Sequence, residues 1–261
     1  MIYFIGAGPG APDLITVKGK NLLERADLII YAGSLVNKEL LKYAKPSCKI
    51  MDSASMTLEE VIAAMVPAAQ KGELVVRLHT GDPSIYGAHR EQMDLLRSYN
   101  LDFEIVPGVS SFCACAAALK AEYTLPNVSQ SVIITRMEGG RTPMPPKETL
   151  ASYAAHQASM VIFLSSGMLD KVQRELLHGG YKKETPAAIV YKASWPEEKV
   201  LRCTVGTLAA TAKANNITKT ALITVGNFLG DEYSRSELYN PTFAHGFRKA
   251  DPSKLNLKPT K

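Results

Sequence analysis

Short apolar runs alternate with longer stretches of helical character along this chain. In the first half the runs are Ile2-Tyr3-Phe4-Ile5, Asp27 to Tyr31, Lys49-Ile50-Met51, Leu74 to Leu78 and Phe103 to Val106. Each is bounded by Gly, Pro, Asp or Ser, the pattern of a buried strand. Between them the sequence predicts helices from about Thr16 to Ala26, Leu35 to Ala44, Tyr86 to Tyr99 and Phe112 to Leu119. Thr57-Leu58-Glu59-Glu60 has the spacing of a capping box and opens another, running to about Lys71. In the Tyr86 segment, Met93, Leu95 and Leu96 mark the buried side. Strand and helix in turn over residues 1–119 predict a mainly parallel sheet covered on both faces.

Near Ala121–Asn127 the pattern weakens, and a second series begins. Its strands are expected at Ser131–Thr135, Met160–Leu164, Ala187–Tyr191 and Ala221–Val225, with Arg202–Val205 as a further one. Helices are expected at about Glu148–His156, Leu169–His178 and Thr207–Ala214. The reading is an α/β protein of two α/β domains, residues 1–120 and 121–240, with a basic tail over 241–261.

Composition narrows the class of protein. With 261 residues the chain is long for one core and comfortable for two. No apolar run approaches the ~20 residues that span a bilayer. The opening MIYFIG is too short and unflanked for a signal peptide. Four cysteines without metal-like spacing point to a reducing, cytoplasmic setting. The net charge of +5 is concentrated at the end, where Arg248, Lys249, Lys254, Lys258 and Lys261 face only Asp251. The nearly neutral body argues against a nucleic-acid partner.

The chemistry centres on Leu74–Gly87, LVVRLHTGDPSIYG, where a strand breaks into a rigid turn. In α/β sheets ligands sit beyond such carboxyl ends. The loop after the first strand, GAGPGAP, matches G-x-G-x-x-A through Gly6, Gly8 and Ala11. Pro9 and Pro12 remove amides that a pyrophosphate needs, and Tyr31-Ala32-Gly33-Ser34 offers no acid for a ribose, so a nicotinamide site is disfavoured. No metal site is expected. Cys113 and Cys115 point to different sides of their helix, and the five histidines share no ligand spacing. What remains is a set of small, rigid loops with few charges, suited to a small ligand held by backbone groups.

Three motifs together resemble one family. GAGPGAPDLIT, the stretch with Arg77, Gly81, Asp82, Pro83, Tyr86 and Gly87, and VPGVSS at Val106–Ser111 are similar to the tetrapyrrole methylases. These are class III S-adenosylmethionine methyltransferases, and the resemblance runs over nearly the whole chain. It implies two α/β domains with a cofactor cleft between them, a homodimer, and S-adenosylmethionine as methyl donor. Family members acting on uroporphyrinogen-III carry an acid in the loop after the second strand. This chain has Ala32-Gly33-Ser34 there, which favours a later corrin step.

By resemblance, the cofactor contacts fall on Pro9, on Thr80, Gly81 and Asp82, on Ile85 behind them, and on Ser110 and Ser111. In the second half they fall on Leu164, Ala193, Thr220 and Ala221. A tetrapyrrole with several carboxylates calls for cations, and Arg77, Arg136, Arg141, Lys192, Arg235 and Arg248 are the candidates. Arg141, in its proline-rich loop, is the favoured one. A sulfonium donor and an electron-rich ring carbon need in-line positioning more than acid–base help. No catalytic base is therefore assigned. Another methylase of the same pathway, or a same-fold enzyme acting on protein or ribosomal RNA, is the alternative.

Overall fold

A computed structural model describes residues 1–139 and 143–253. Arg141, Lys254, Lys258 and Lys261 lie outside the described residues. The chain forms two compact units. The first comprises Met1–Lys120 with Ile189–Leu201 and Ile217–Leu222; the second comprises Ala121–Ala188, Arg202–Asn216 and Ile223–Lys261.

The first unit is built on five strands: β1 (Ile2–Gly6), β2 (Leu28–Tyr31), β3 (Lys49–Asp52), β4 (Val75–His79) and β5 (Phe103–Val106). They lie in the order β3-β2-β4-β1-β5, and their pairings are parallel. Alternation along each strand divides the apolar side chains between two faces. Ile2, Phe4, Leu28, Ile30 and Val75 pack with Val61, Met65, Met93 and Leu96 of helices α2 (Leu58–Gln70) and α3 (Arg90–Ser98). Ile5, Ile29, Tyr31, Val76 and Leu78 pack with Leu22 and Leu23 of α1 (Val17–Arg25). Helix α4 (Ser111–Leu119) follows β5. Because the strands are parallel, the loops after them gather along one edge of the sheet.

The second unit contains β6 (Val132–Arg136), β7 (Ser159–Phe163) and most of β10 (Ala221–Val225), with helices α5 (Leu150–Ala154), α6 (Leu169–His178) and α7 (Leu208–Ala214). The sheet order is β6-β7-β10-β8-β9, where β8 is Pro186–Tyr191 and β9 is Lys199–Thr204. β6 and β7 are parallel, whereas β7 and β10 are antiparallel. Among the described residues no helix is long and apolar enough to cross a membrane.

Three predicted helices differ from those observed. Residues 35–44 do not form an α-helix but two 3₁₀ turns, Gly33–Leu35 and Lys38–Tyr43. Asn37 interrupts them with an extended backbone and a side chain that accepts the Glu39 amide. The helix expected from Tyr86 starts only at Arg90, because Tyr86 and Ala88 hold φ of 55° and 46°. Helix α5 spans only Leu150–Ala154, with Thr149 as its cap.

The capping box of α2 is complete: the Glu60 amide donates to Thr57 Oγ1 at 3.3 Å, and the Thr57 amide donates to Glu60 Oε2 at 2.7 Å. Thr57→Ala should cost about 1 kcal/mol of stability and lower the melting temperature by about 2–4 °C. Differential scanning calorimetry on the two proteins tests this, and an unchanged transition would refute it.

Candidate cofactor site

Three glycines set the geometry at the carboxyl edge of the first sheet. A Cβ on Gly6 would lie 2.5 Å from the Gly108 Cα and 2.6 Å from the Gly81 carbonyl oxygen. One on Gly108 would lie 2.2 Å from that same oxygen. The loops after β1, β4 and β5 therefore meet backbone to backbone, closer than any side chain permits. Gly8 and Gly81 then exchange two hydrogen bonds, Gly81 N to Gly8 O at 2.9 Å and Gly8 N to Gly81 O at 3.2 Å. Gly81 itself needs its φ of 59°.

Asp82 braces this junction. Its Oδ2 accepts the Gly108 amide at 2.8 Å, and its Oδ1 accepts the Ser84 amide at 2.8 Å and the Ser84 hydroxyl. Burial pushes the carboxyl up, but these donors outweigh it and its pKa lies below the ordinary aspartate value. The expected carboxylate contact to a ligand thus gives way to a structural use of both oxygens. Thr80 donates its hydroxyl to the Leu35 carbonyl at 2.9 Å, tying the loop after β2 to the same edge. Ile85 is half-buried. Ser110 is buried at the N-cap of α4, where its side chain makes no capping hydrogen bond, and Ser111 is the first residue of that helix.

Arg77 requires a correction. It was expected to meet substrate carboxylates, but it is only 6% exposed on the α2–α3 face of the sheet. Its Nε donates to Gln92 Oε1 at 3.2 Å and one terminal nitrogen donates to the Ile30 carbonyl at 3.1 Å. Burial lowers its pKa to about 10. This guanidinium ties β2, β4 and α3 together and offers nothing to a ligand. Two residues on, His79 is buried against Phe4, with ring centroids 5.9 Å apart, and its Nε2 has no hydrogen-bond partner among the described residues. Burial, with Arg77 and His89 nearby, pushes its pKa down to about 3.

The segment after β8 also belongs to the first unit. Ala193 is buried, and the Lys192 amide donates to the Thr220 carbonyl at 2.9 Å, beside the partly buried Ala221. Lys192, Ser194 and Thr220 hold φ of 47°, 68° and 56°. Such left-handed non-glycine residues cost about 1–3 kcal/mol each and gather at functional sites. Pro9 is buried, and its carbonyl accepts Trp195 Nε1 at 2.9 Å. Sequence reasoning missed Trp195, although a lone tryptophan beside a proline outside any periodic run was a readable signal. The Lys192 ammonium pairs with Glu197 at 3.3 Å and lies over the Trp195 and Tyr191 rings.

The other expected residues belong to the second unit. Leu164, just past β7, is 63% exposed with φ of 52°. Arg136 donates to the Met137 and Pro143 carbonyls at 3.5 and 3.3 Å. Arg235 donates to the Tyr239 carbonyl at 2.8 Å. Arg248 is another correction: one terminal nitrogen donates to the carbonyls of Leu238, Asn240 and Phe243, so this guanidinium organises the segment before it. Among the described residues no group of His, Cys, Asp and Glu could hold a metal.

The buried imidazole makes acid sensitivity predictable. His79 titrates near 6.5 when unfolded but only near 3 when folded. The unfolded chain therefore binds the extra proton between those values, and stability falls by up to about 1.4 kcal/mol per pH unit as pH drops. His79→Phe should keep the stacking on Phe4 and remove this loss. Denaturant titrations from pH 7 to 5 should show the variant gaining on wild type with each step. Parallel stability curves would refute it.

Comparison with known proteins accords with this architecture. Residues 1–209 match the family model of the Tetrapyrrole (Corrin/Porphyrin) Methylases. The chain is 56% identical over 250 residues to a cobalt-precorrin-4 C(11)-methyltransferase of Methanocaldococcus jannaschii, covering 95% of this chain and 96% of that one. The solved structure of a cobalt precorrin-4 methyltransferase superposes with a TM-score of 0.86 at 48% identity, over 88% of this chain and 96% of that one. A uroporphyrin-III C-methyltransferase from Thermus thermophilus, complexed with S-adenosyl homocysteine, gives 0.72 at 25% identity, over 87% and 92%. With strand-end loops, glycine junction and sequence in agreement, the chain belongs to the tetrapyrrole methylases and is a methyltransferase of that family.

Proposed function

We propose that this chain transfers a methyl group from S-adenosylmethionine to C11 of precorrin-4, with or without cobalt in the macrocycle, in cobalamin synthesis. The observation that carries the reading is the backbone-lined edge formed by Gly6, Gly8, Gly81 and Gly108. Fit to the cofactor is supported by space and by donors. A Cβ on Gly81 would meet nothing nearer than 3.6 Å, at Ser110 and Ser111, so this loop leaves room where the others are filled. Helix α4 turns its amino end toward the same loop, and the dipole and first-turn amides of such an end favour a carboxylate.

When bound, S-adenosylmethionine supplies a methyl group on a sulfonium, an electrophile that needs no further activation. The residues proposed to hold it are Pro9, Thr80, Gly81, Ile85, Ser110, Ser111, Ala193, Thr220 and Ala221, with Asp82 acting through the loop it braces. Leu164 is the candidate from the second unit. The work of these residues is orientation, which can contribute on the order of 7–11 kcal/mol. Lys192, Arg136 and Arg235 remain the proposed partners of substrate carboxylates. The reading extends to a homodimer working in the cytoplasm, in keeping with the absence of any disulfide among the four cysteines.

Two measurements test this. Calorimetric titration with S-adenosylhomocysteine should saturate near one per chain. Incubation of precorrin-4 with S-adenosylmethionine carrying a ¹³C methyl should place the label at C11 by NMR. Label at a different ring carbon would overturn the regiochemistry, and absence of binding would overturn the cofactor.

A further inference from the structure

The first glycine loop is held from a side that neither its own sequence nor the GDP turn supplies. Between Gly8 and Pro12 the chain has few amides to give, because Pro9 and Pro12 lack them. Its remaining polar groups are met by side chains from far along the chain, within the same unit. Trp195 Nε1 donates to the Pro9 carbonyl at 2.9 Å. Ser194 Oγ accepts the Ala11 amide at 3.0 Å. Asn37 Nδ2 donates to the Gly10 carbonyl at 2.8 Å. The indole lies directly on the loop: a Cβ on Gly10 would fall 2.1 Å from Trp195 Cδ1, so glycine is required there for the ring to sit.

The strap that delivers these groups is itself fixed in an unfavourable conformation. Lys192 and Ser194 are both left-handed. The Trp195 amide donates to the Lys192 carbonyl at 2.9 Å, the Glu198 amide donates to the Trp195 carbonyl at 3.0 Å, and Glu198 Oε2 accepts the Ser194 amide at 2.6 Å. The Lys192 ammonium lies 5.2 Å from the centre of the indole ring. A turn that only connected β8 to β9 would have no need of Ser194 at φ 68°, where glycine is the unstrained residue. Serine there is explained by its bond to Ala11.

We propose that Ser194 and Trp195 are positioning residues for the methyl donor, setting the Pro9–Ala11 backbone in the form that receives it. Each acts through the glycine loop, which it clamps against the junction made by Gly8 and Gly81. The proposal rests on the cofactor reading above and goes further in assigning these two residues. It has a built-in reporter, since Trp195 is the only tryptophan of the chain. All indole emission therefore comes from a ring resting on the cofactor loop.

The test uses the full-length protein with S-adenosylhomocysteine as probe, followed by calorimetry and by tryptophan emission. Wild type should show a saturable change in emission with the same midpoint as the heat. Ser194→Gly relieves the left-handed strain while deleting the hydroxyl, so its melting temperature should be equal or higher. Its affinity should nonetheless fall roughly three- to tenfold, the effect of one lost hydrogen bond. Trp195→Phe, which keeps a ring but loses the donor, should weaken binding by a similar factor. With both changes combined, the loss should be smaller than the product of the two, because both hold one loop. In turnover assays the donor KM should rise in each variant and kcat change little. Wild-type affinity in the Ser194→Gly protein, or binding by wild type without any emission change, would overturn the proposal and leave the cofactor assignment standing. Failure of wild type to bind at all would overturn both.

Discussion

Everything at the carboxyl edge of the first sheet depends on the approach of Gly6, Gly81 and Gly108. A carbonyl oxygen of one loop lies where the Cβ of either neighbour would be. Two methyl groups at this point would force the loops apart and break the paired hydrogen bonds between Gly8 and Gly81. Close packing makes such a displacement costly, since the interior has little free volume to absorb it. The junction also places the Gly108 amide where the Asp82 carboxylate can accept it. The acid in the GDP turn is thus part of the scaffold.

Below this edge the sheet carries polar side chains that serve the same end. Arg77 and His79 project from β4 onto the face covered by α2 and α3, where an apolar residue would be the default. The guanidinium meets the Ile30 carbonyl and Gln92, whose amide in turn donates to the Ala88 carbonyl at 3.0 Å. That chain of contacts runs from β2 through β4 to the left-handed segment before α3. A buried charge of this kind is expensive to desolvate and strongly destabilising to break. Its position fixes the turn from both ends, with Asp82 on one side and Ala88 on the other.

The first unit was legible because its signals are local. Apolar runs bounded by turn residues placed β1 to β5, and the Thr57–Glu60 spacing placed the start of α2. Left-handed positions were not legible: Tyr86 and Ala88 look like helix formers, and only the tertiary packing of the GDP turn holds them otherwise. Side-chain engagement was equally hidden. Arg77 and Arg248 have the composition of ligand-binding cations, and nothing in their neighbours tells that carbonyls of Ile30 and Leu238 lie within reach. Trp195 escaped for the same reason, since its partner Pro9 is 186 positions away in sequence.

The distribution of charge around the site agrees with the chemistry assigned to it. A methyl transfer from a sulfonium discharges a positive centre, so a site that holds a fixed negative charge against the donor would stabilise the reactant more than the transition state. Here the acid nearest the junction, Asp82, has its oxygens turned toward Gly108 and Ser84, and Glu198 is turned toward the Ser194 amide. Both carboxylates stiffen the loops and present backbone to the ligand. What such a surface can offer is orientation, through amides and carbonyls that do not titrate near neutrality. The strained residues at Lys192, Ser194 and Thr220 fit that economy, because rigidity of the loop edge is what sets the line of attack.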